Sequence, residues 1–571
     1  MRYFGWGLLF FVIAYLLPLG GRPLLRPDEF RYAEIPREML ESGDYVTPRL
    51  LGVRYFEKPV LGYWMVAGSF RLFGENRFAL RLPMAAATGL TALLLGLWIR
   101  RSSRDREWAL WAALFHLSAG LTFALGTTAV LDSLLCLFTT STLLCVHQAV
   151  VTEKWNFERL IWLVLCGVTA GLGFMTKGLV AWAVPGVAAV AWLLWTKRFK
   201  AFLWLPWIPL AALAATVAPW ALEIHRAEPD FWNYFIVVEH LQRFRAGAES
   251  QHPAPFWYFI PVLAGTLFPA LLTVLPGAAA GKESWRRIWN DPLWRFAFCA
   301  WLLPFCFFSA SSGKLATYIL PCYPFLGAVL TLPALEALRN RQSAAMKIQL
   351  RLFDVLGYLM LAAGAGAVAF GAALWPPVAL DRWLPEFSGG SWFFMLSGAA
   401  GIAGGIYVLR RRHAPLRRVA GFLGALALVG GCSGLLPELD SDKMPEVDLR
   451  ALAASGAFDP ARAHIFTYGQ MGHTAAWVFR RSDTRLLISA GEMDYGAKHA
   501  RAEKRPLLWN SAEFERLLKR SDRPEIVYIV TWDGEDDRRF RAFAKYPHRK
   551  LLSRTIMALV FPPASAELRT R

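Results

Sequence analysis

The residues able to do chemistry in this chain stand in short polar breaks between long apolar runs. The first break carries "RPDEFRYAEIPREMLESGDY" (26–45) and "RYFEKPVLGYW" (54–64), which place Asp28, Arg31 and Tyr32 ahead of Tyr55, Glu57 and Lys58. Later breaks hold Asp132 in "AVLDSLL", Lys177 in "FMTKGLV", Glu239, His240, Arg243 and Arg245 in "VEHLQRFR", and Lys314 with Tyr318 in "SSGKLATYILP". Acids from two breaks and bases from three or four others make a set suited to transferring a group from a phosphate-linked carrier. Bases stabilise a departing phosphate as its charge develops. A carboxylate orients the acceptor or stabilises an oxocarbenium-like sugar.

Each of these residues also has a plainer reading. Asp28 follows Pro27 in a good N-cap position, with Glu29 in the first turn. Tyr55, Tyr63 and Trp64 are ordinary interfacial anchors by default. Lys177 can snorkel from a span end, and Glu239 can simply pair with Arg243 one helical turn away. Asp132 is harder to dismiss, because an ionisable group near a bilayer is costly.

These residues need a membrane scaffold. The chain has 571 residues, 55% of them hydrophobic and only 18% charged, with 25 Trp and 40 Phe; its mean hydropathy is +0.34. That composition excludes an ordinary soluble enzyme and indicates a polytopic membrane protein with a polar appendage. The net charge of +19 points to anionic lipid head groups rather than nucleic acid, since much of the Arg lies in short loops. Five of the 7 Cys, namely Cys136, Cys145, Cys166, Cys299 and Cys306, lie in apolar runs without metal spacing, so they read as packing residues. The first apolar run reads as a retained span rather than a cleaved signal.

Apolar runs predict about thirteen spans, near 5–20, 79–99, 107–126, 133–151, 160–175, 179–196, 202–222, 257–276, 296–310, 315–335, 352–375, 391–409 and 418–435. The basic loops "RRSSRDR", "KRFK", "KESWRRIW", "RNRQSAAMKIQLR" and "RRRHAPLRR" can then all face the cytoplasm. The N-terminus lies inside, and the breaks at 21–78, 127–133, 223–256 and 309–318 share the outer face. The first break predicts interfacial helices. Phe30, Ala33, Met39 and Leu40 would lie on the membrane, with Arg31, Glu34, Arg37, Glu38 and Glu41 on the wet side. Gly43 is the expected stop, and Pro36 predicts a kink or two short helices.

After residue 435 the texture changes. "HIFTYGQ", "TRLLIS" and "EIVYIVTW" read as strands, and "SAEFERLLKR" reads as a helix with Ser511 as its cap. The expected architecture is an all-α polytopic membrane domain over 1–436 and a C-terminal α/β domain over 437–571 in the periplasm.

The acidic pair in the first outer loop resembles the GT-C superfamily of glycosyltransferases, which use polyprenyl-phosphate sugars. "DEFRYAEIPREMLESGDYVTPRLLGVRYFEKPVLGYW" (28–64), "GFMTKGLVAWAVP" (173–185) and "SSGKLATYILPCYPF" (311–325) are similar to the bacterial aminoarabinose lipid A transferases. The resemblance covers roughly residues 1–435. It implies transfer of 4-amino-4-deoxy-L-arabinose from undecaprenyl phosphate to lipid A phosphates, at the periplasmic face of the inner membrane. Lower envelope charge and polymyxin resistance would follow.

The resemblance also implies residue roles. Asp28 and Asp132 are the catalytic acids. Arg31, Tyr32, Tyr55, Lys58, Arg245 and Tyr318 surround the substrates and the carrier phosphate, and Lys177 and Lys314, singled out from the residues, are added to that binding set. Glu57 and His240 are a candidate pair for a divalent metal such as zinc. A monomer acting on lipid substrates, with no nucleic-acid partner, is expected. Two other functions compete: a polyprenyl-phosphate hexose transferase acting on protein or glycan, and a non-enzymatic lipid-carrier transporter. A transporter would more typically show inverted repeats and broken midmembrane helices, whereas here the acids cluster on one face. "TWDGEDD" (531–537) only superficially resembles the acidic signature of oligosaccharyltransferases.

Overall fold

The computed structural model describes residues 7–8, 10–242, 252–268, 270–279, 282–339, 344–373, 390–410, 444–531, 542–553 and 555–564. It divides into two compact units that do not follow chain order. One comprises Met1–Gly21 with Arg81–Gly434, the other Arg22–Leu80 with Leu435–Arg571.

The first unit is helical. Among the described residues, seven helices are long and apolar enough to cross a membrane: Arg77–Ser103, Asp132–Val151, Phe157–Lys177, Ala201–Ala227, Pro292–Ala310, Ala316–Leu338 and Met346–Ala372. Val180–Trp195 and Met395–Arg410 are apolar but shorter. The chain is a multi-pass membrane protein.

Two predicted spans are not continuous. The 107–126 run breaks into helices Arg106–Ser118 and Gly120–Gly126, with Ala119 extended between them. The Ser118 hydroxyl donates to the Leu114 carbonyl at 2.6 Å, an alternative to straight continuation of the helix. The 257–276 run is short pieces, Phe259–Thr266 and Leu271–Val274. The predicted span at 418–435 lies outside the described residues.

Helices of this unit approach closely where side chains are small. A Cβ on Gly364 would lie 2.7 Å from the Gly398 carbonyl oxygen, so Ala344–Ala373 and Gly390–Arg410 pack backbone to backbone. Elsewhere the core is aromatic: Trp98 donates from Nε1 to His147 Nδ1 at 3.1 Å, and the Trp192 and Phe296 rings pack tilted against that ring.

The second unit is α/β. Its six-stranded sheet runs 508–509, 485–487, 464–467, 526–531, 556–561, 549–552. The first four strands are parallel, and the last two pair antiparallel. Alternate residues of the central strands feed different cores. Ile526, Tyr528 and Val530 pack with Phe514 and Phe543, while Val527 and Ile529 pack with Leu449 and Met471. Both faces are covered, which is why "IVYIV" is apolar throughout.

The 22–80 segment belongs to this same unit. Helix Asp28–Ser42 is followed by a hairpin pairing Arg49–Leu50 with Val53–Arg54, then helix Leu61–Phe73. Phe70 stacks on Trp477 with centroids 5.8 Å apart, Phe56 meets Tyr495 at 5.4 Å, and Arg54 reaches Glu503 at 2.5 Å. Buried Glu446 accepts from the Leu24 N–H at 3.2 Å and pairs with Arg77 at 3.2 Å.

Four local expectations are corrected here. Pro36 neither kinks nor splits its helix: Asp28–Ser42 is continuous, ending at Gly43 with φ 74°. Proline inside a helix costs about 3 kcal/mol. That cost is offset by near-complete burial of the helix and by Arg37, which pairs with Glu34 at 2.6 Å and Glu41 at 2.8 Å across the proline. The supposed wet face is also largely buried, with Arg31, Glu34, Arg37 and Glu38 all inside.

The third correction concerns Asp28, which is not a cap. Pro27 already has helical backbone angles, so Asp28 falls inside the first turn. Fourth, the helix Ser511–Leu518 is capped by Asn510 rather than Ser511. Asn510 accepts from the Glu513 N–H while the Glu513 carboxylate accepts from the Asn510 N–H, both at 2.9 Å.

Candidate functional site

In the second unit, the first helical turn puts Asp28, Arg31 and Tyr32 side by side, since residues three and four apart are neighbours on a helix. Relieved of capping, the Asp28 carboxylate pairs with Arg31 Nη2. Its side chain is 46% exposed, whereas that of Arg31 is 11% exposed. The cluster thus offers one accessible carboxylate held by one buried guanidinium.

Arg31 is the hub. Its Nη1 donates to the Tyr55 hydroxyl at 2.9 Å and to Glu492 Oε2. Glu57 Oε2 lies 3.9 Å from the same nitrogen. The Tyr32 ring is 5.2 Å and the Tyr55 ring 5.9 Å from the guanidinium carbon, within cation–π range. Arg31 Nε is buried without a hydrogen bond. Burial opposes the charge on Arg31, but Tyr55, Glu492, Tyr32 and Asp28 outweigh it and hold the group cationic. Burial pushes the Tyr55 and Tyr63 hydroxyls well above the usual phenol range, so both stay neutral.

Lys58 donates to the Glu57 backbone carbonyl at 3.0 Å and stands 4.0 Å from the Glu57 carboxylate. The Glu57 side chain therefore faces two cations, a poor environment for a divalent ion. Among the described residues no group of three or more His, Cys, Asp or Glu is arranged to hold a metal. The His240 side chain and Arg245 lie outside what is described.

Glu492, in a short turn after Gly491, was missed by the sequence reading. Gly491 has φ 55°, a conformation glycine adopts without strain. Burial lifts the Glu492 carboxyl to about 7. Arg31 opposes that rise, and Glu57 and Asp28 add to it. No motif surrounds Glu492; its only signal is an acid between strand and helix in the C-terminal segment.

A second cluster lies within the helical unit. Asp132 opens helix Asp132–Val151, and Lys177 closes Phe157–Lys177. Lys177 Nζ is 2.7 Å from Asp132 Oδ1 and 5.5 Å from the centre of the Tyr318 ring. Tyr318 sits in the 3₁₀ turn Ala316–Cys322. Lys314 precedes that turn, and its ammonium donates to the carbonyls of Ala254, at 2.9 Å, and Ser311. It clamps two backbone segments to one another. Glu239 is buried in the π-helical stretch Asn233–Gln242.

Residues 6–235 match the family model of dolichyl-phosphate-mannose-protein mannosyltransferases. The chain is 36% identical over 540 residues to the undecaprenyl phosphate-alpha-4-amino-4-deoxy-L-arabinose arabinosyl transferase of Aeromonas salmonicida (strain A449), covering 94% of this chain and 93% of that one. It is 37% identical over 537 residues to such a transferase of Sodalis glossinidius (strain morsitans), covering 93% and 92%. Its fold is that of ArnT from Cupriavidus metallidurans, in a crystal structure with bound undecaprenyl phosphate. There the TM-score is 0.77 at 22% identity, over 97% of this chain and 98% of that one. With full-length likeness of this degree, the chain belongs to the family of undecaprenyl phosphate-alpha-4-amino-4-deoxy-L-arabinose arabinosyl transferases.

Proposed function

We propose that this enzyme moves 4-amino-4-deoxy-L-arabinose from undecaprenyl phosphate to the phosphates of lipid A. It acts as a monomer on the periplasmic face of the bacterial inner membrane, with its N-terminus in the cytoplasm. The result is a less anionic envelope and resistance to polymyxin and other cationic peptides. The donor is supported by the family's name and by the carrier in the related crystal structure. The observation that carries the reading is the Asp28–Arg31 pair: an accessible carboxylate pinned by a buried guanidinium among tyrosines.

The transfer breaks the bond between the sugar's anomeric carbon and the carrier phosphate oxygen. A new bond forms from that carbon to an oxygen of the acceptor phosphate, and undecaprenyl phosphate leaves. A phosphate monoester has a second pKa near 6, so the acceptor is already largely dianionic at neutral pH and needs no strong base. Asp28 therefore acts by position and charge, toward the donor's ammonium and the developing positive charge on the ring. In the second unit, Arg31 and Lys58 are the cations proposed to meet phosphate, with Tyr32 and Tyr55 beside Arg31; in the helical unit, Lys177 beside Tyr318 is a separate candidate. Asp132 holds Lys177 in place. No step is derived through a metal.

The test is mass spectrometry of lipid A from cells lacking the gene, cells restored with it, and cells carrying Asp28→Asn. Aminoarabinose on lipid A only in the restored cells supports the proposal. Unmodified lipid A in all three overturns it.

A further inference from the structure

Behind Arg31 lies a polar contact that no step above uses. Helix Met471–Phe479 carries His473, which is 0% exposed. Both of its ring nitrogens are buried without a hydrogen bond. The Oε1 atom of Glu492 is also buried without one. These atoms face each other, His473 Nε2 standing 3.7 Å from Glu492 Oε1. The other oxygen of the same carboxylate, Oε2, is bonded to Arg31.

Buried polar atoms are nearly always paired, and an exception calls for an explanation. A gap of 3.7 Å is longer than a hydrogen bond by several tenths of an ångström. Burial, with Arg31 and Arg26 nearby, pushes His473 down to about 3, so the ring is neutral and not half of an ion pair. The other groups that bear electrostatically on Glu492 are Asp28, Glu57 and Lys58. Tyr55 and Tyr63 feel its charge in turn.

We infer that His473 is a positioning residue for the transfer: its Nε2–H donates to Glu492 Oε1, which aims Oε2 at Arg31 and so fixes the guanidinium that holds Asp28. The chain of contacts runs His473, Glu492, Arg31, Asp28, and its last two members are the ones proposed to meet substrate. This inference rests on the proposed transfer for its kinetic readout, but the contact itself can be tested without catalysis.

The experiment compares His473→Phe, which keeps the ring shape and removes the donor, with His473→Gln, which restores an N–H. Expected for His473→Phe is a roughly tenfold fall in kcat, the size of one lost hydrogen bond, with donor KM little changed. Its thermal midpoint should fall by only a few degrees, because one buried hydrogen bond is lost while the ring's packing is kept. His473→Gln should recover most of the rate. In a Glu492→Gln background, His473→Phe should have no further effect. Wild-type kcat in His473→Phe, or equal damage from Phe and Gln in folded protein, overturns the inference.

Nitrogen-15 NMR of the histidines, assigned by loss of a signal in His473→Phe, supplies the readout independent of activity. An Nε2-protonated His473 whose signal moves in Glu492→Gln supports the contact. An Nδ1-protonated ring indifferent to that substitution overturns it. Failure of sugar transfer in every variant, with the NMR contact intact, would count against the proposed function and not against the contact.

Discussion

Asp28 opens a helix yet caps nothing: its carboxylate turns to the guanidinium of Arg31, one turn further on. An N-cap aspartate spends its oxygens on backbone N–H groups. Here they are spent on a buried cation, and nearly half of the side chain stays accessible. Asp28→Asn keeps the shape and removes the charge. Transfer should fall by about 10²-fold or more with little change in thermal midpoint, measured on purified enzyme.

Arg31→Lys keeps the charge but not the fork. An ammonium cannot serve Asp28, Glu492 and Tyr55 with the same planar geometry. The expected loss is about 10–100-fold in kcat/KM, the size of one charge-assisted hydrogen bond. Steady-state kinetics with a saturating acceptor measures it, and a lysine variant at wild-type efficiency would reject Arg31 as the hub.

Glu492, at about 7, is neutral below that pH and ionised above it. Its grip on Arg31 therefore strengthens as pH rises. The ratio of wild-type to Glu492→Gln rate should increase between pH 6 and 8, with its midpoint near 7. Taking the ratio cancels the acceptor's own titration. A flat ratio would show that the charge on Glu492 does not reach the reaction.

Glu38 is buried and accepts from the Gly52 N–H at 3.0 Å, and burial, with Glu34 nearby, lifts its carboxyl to about 8. An acid whose folded pKa exceeds its unfolded value near 4.5 stabilises fully below that unfolded value. The stability is lost as pH rises through about 8. Glu38→Gln should accordingly melt higher than wild type at pH 8.5, on the order of 1–3 kcal/mol, and no higher at pH 5. Calorimetry at the two pH values decides it.

Lys177 and Asp132 form a pair at 2.7 Å, both largely buried. Removing one partner leaves a charge without compensation and should cost about 3 kcal/mol or more. The double variant Asp132→Asn with Lys177→Met should recover much of that stability in detergent melts without recovering transfer. Recovery of both would make the pair structural only. A chelator tests the metal separately: with Arg31 and Lys58 facing Glu57, transfer should be unchanged by EDTA.

The legible parts of this chain were those written locally. Short apolar runs marked the strands at 464–467, 485–487 and 526–531, because strands covered on both faces are apolar through their middles. The motif in the first break singled out Asp28, Arg31 and Tyr32, and these three come together at the start of one helix. What escaped was set by distant partners. Burial against the rest of its unit keeps the Asp28–Ser42 helix whole through Pro36. Glu492 and His473 take their meaning from Arg31, far away in the chain, and nothing in their own neighbourhoods announces it. Asn510 displaced Ser511 as cap by one position, a choice made by the backbone angles and the reciprocal bond with Glu513.

The central claim is that this enzyme transfers aminoarabinose to a lipid phosphate through Asp28. The most direct measurement is a reaction of the purified chain with undecaprenyl phosphate-linked 4-amino-4-deoxy-L-arabinose and lipid A, read by mass spectrometry. A parallel reaction contains polyprenyl-phosphate mannose and a protein acceptor. The account predicts one added aminoarabinose per modified lipid A phosphate, loss of that product in Asp28→Asn, and no mannosylated protein. Mannosylated protein with unmodified lipid A, or full activity in Asp28→Asn, would contradict it.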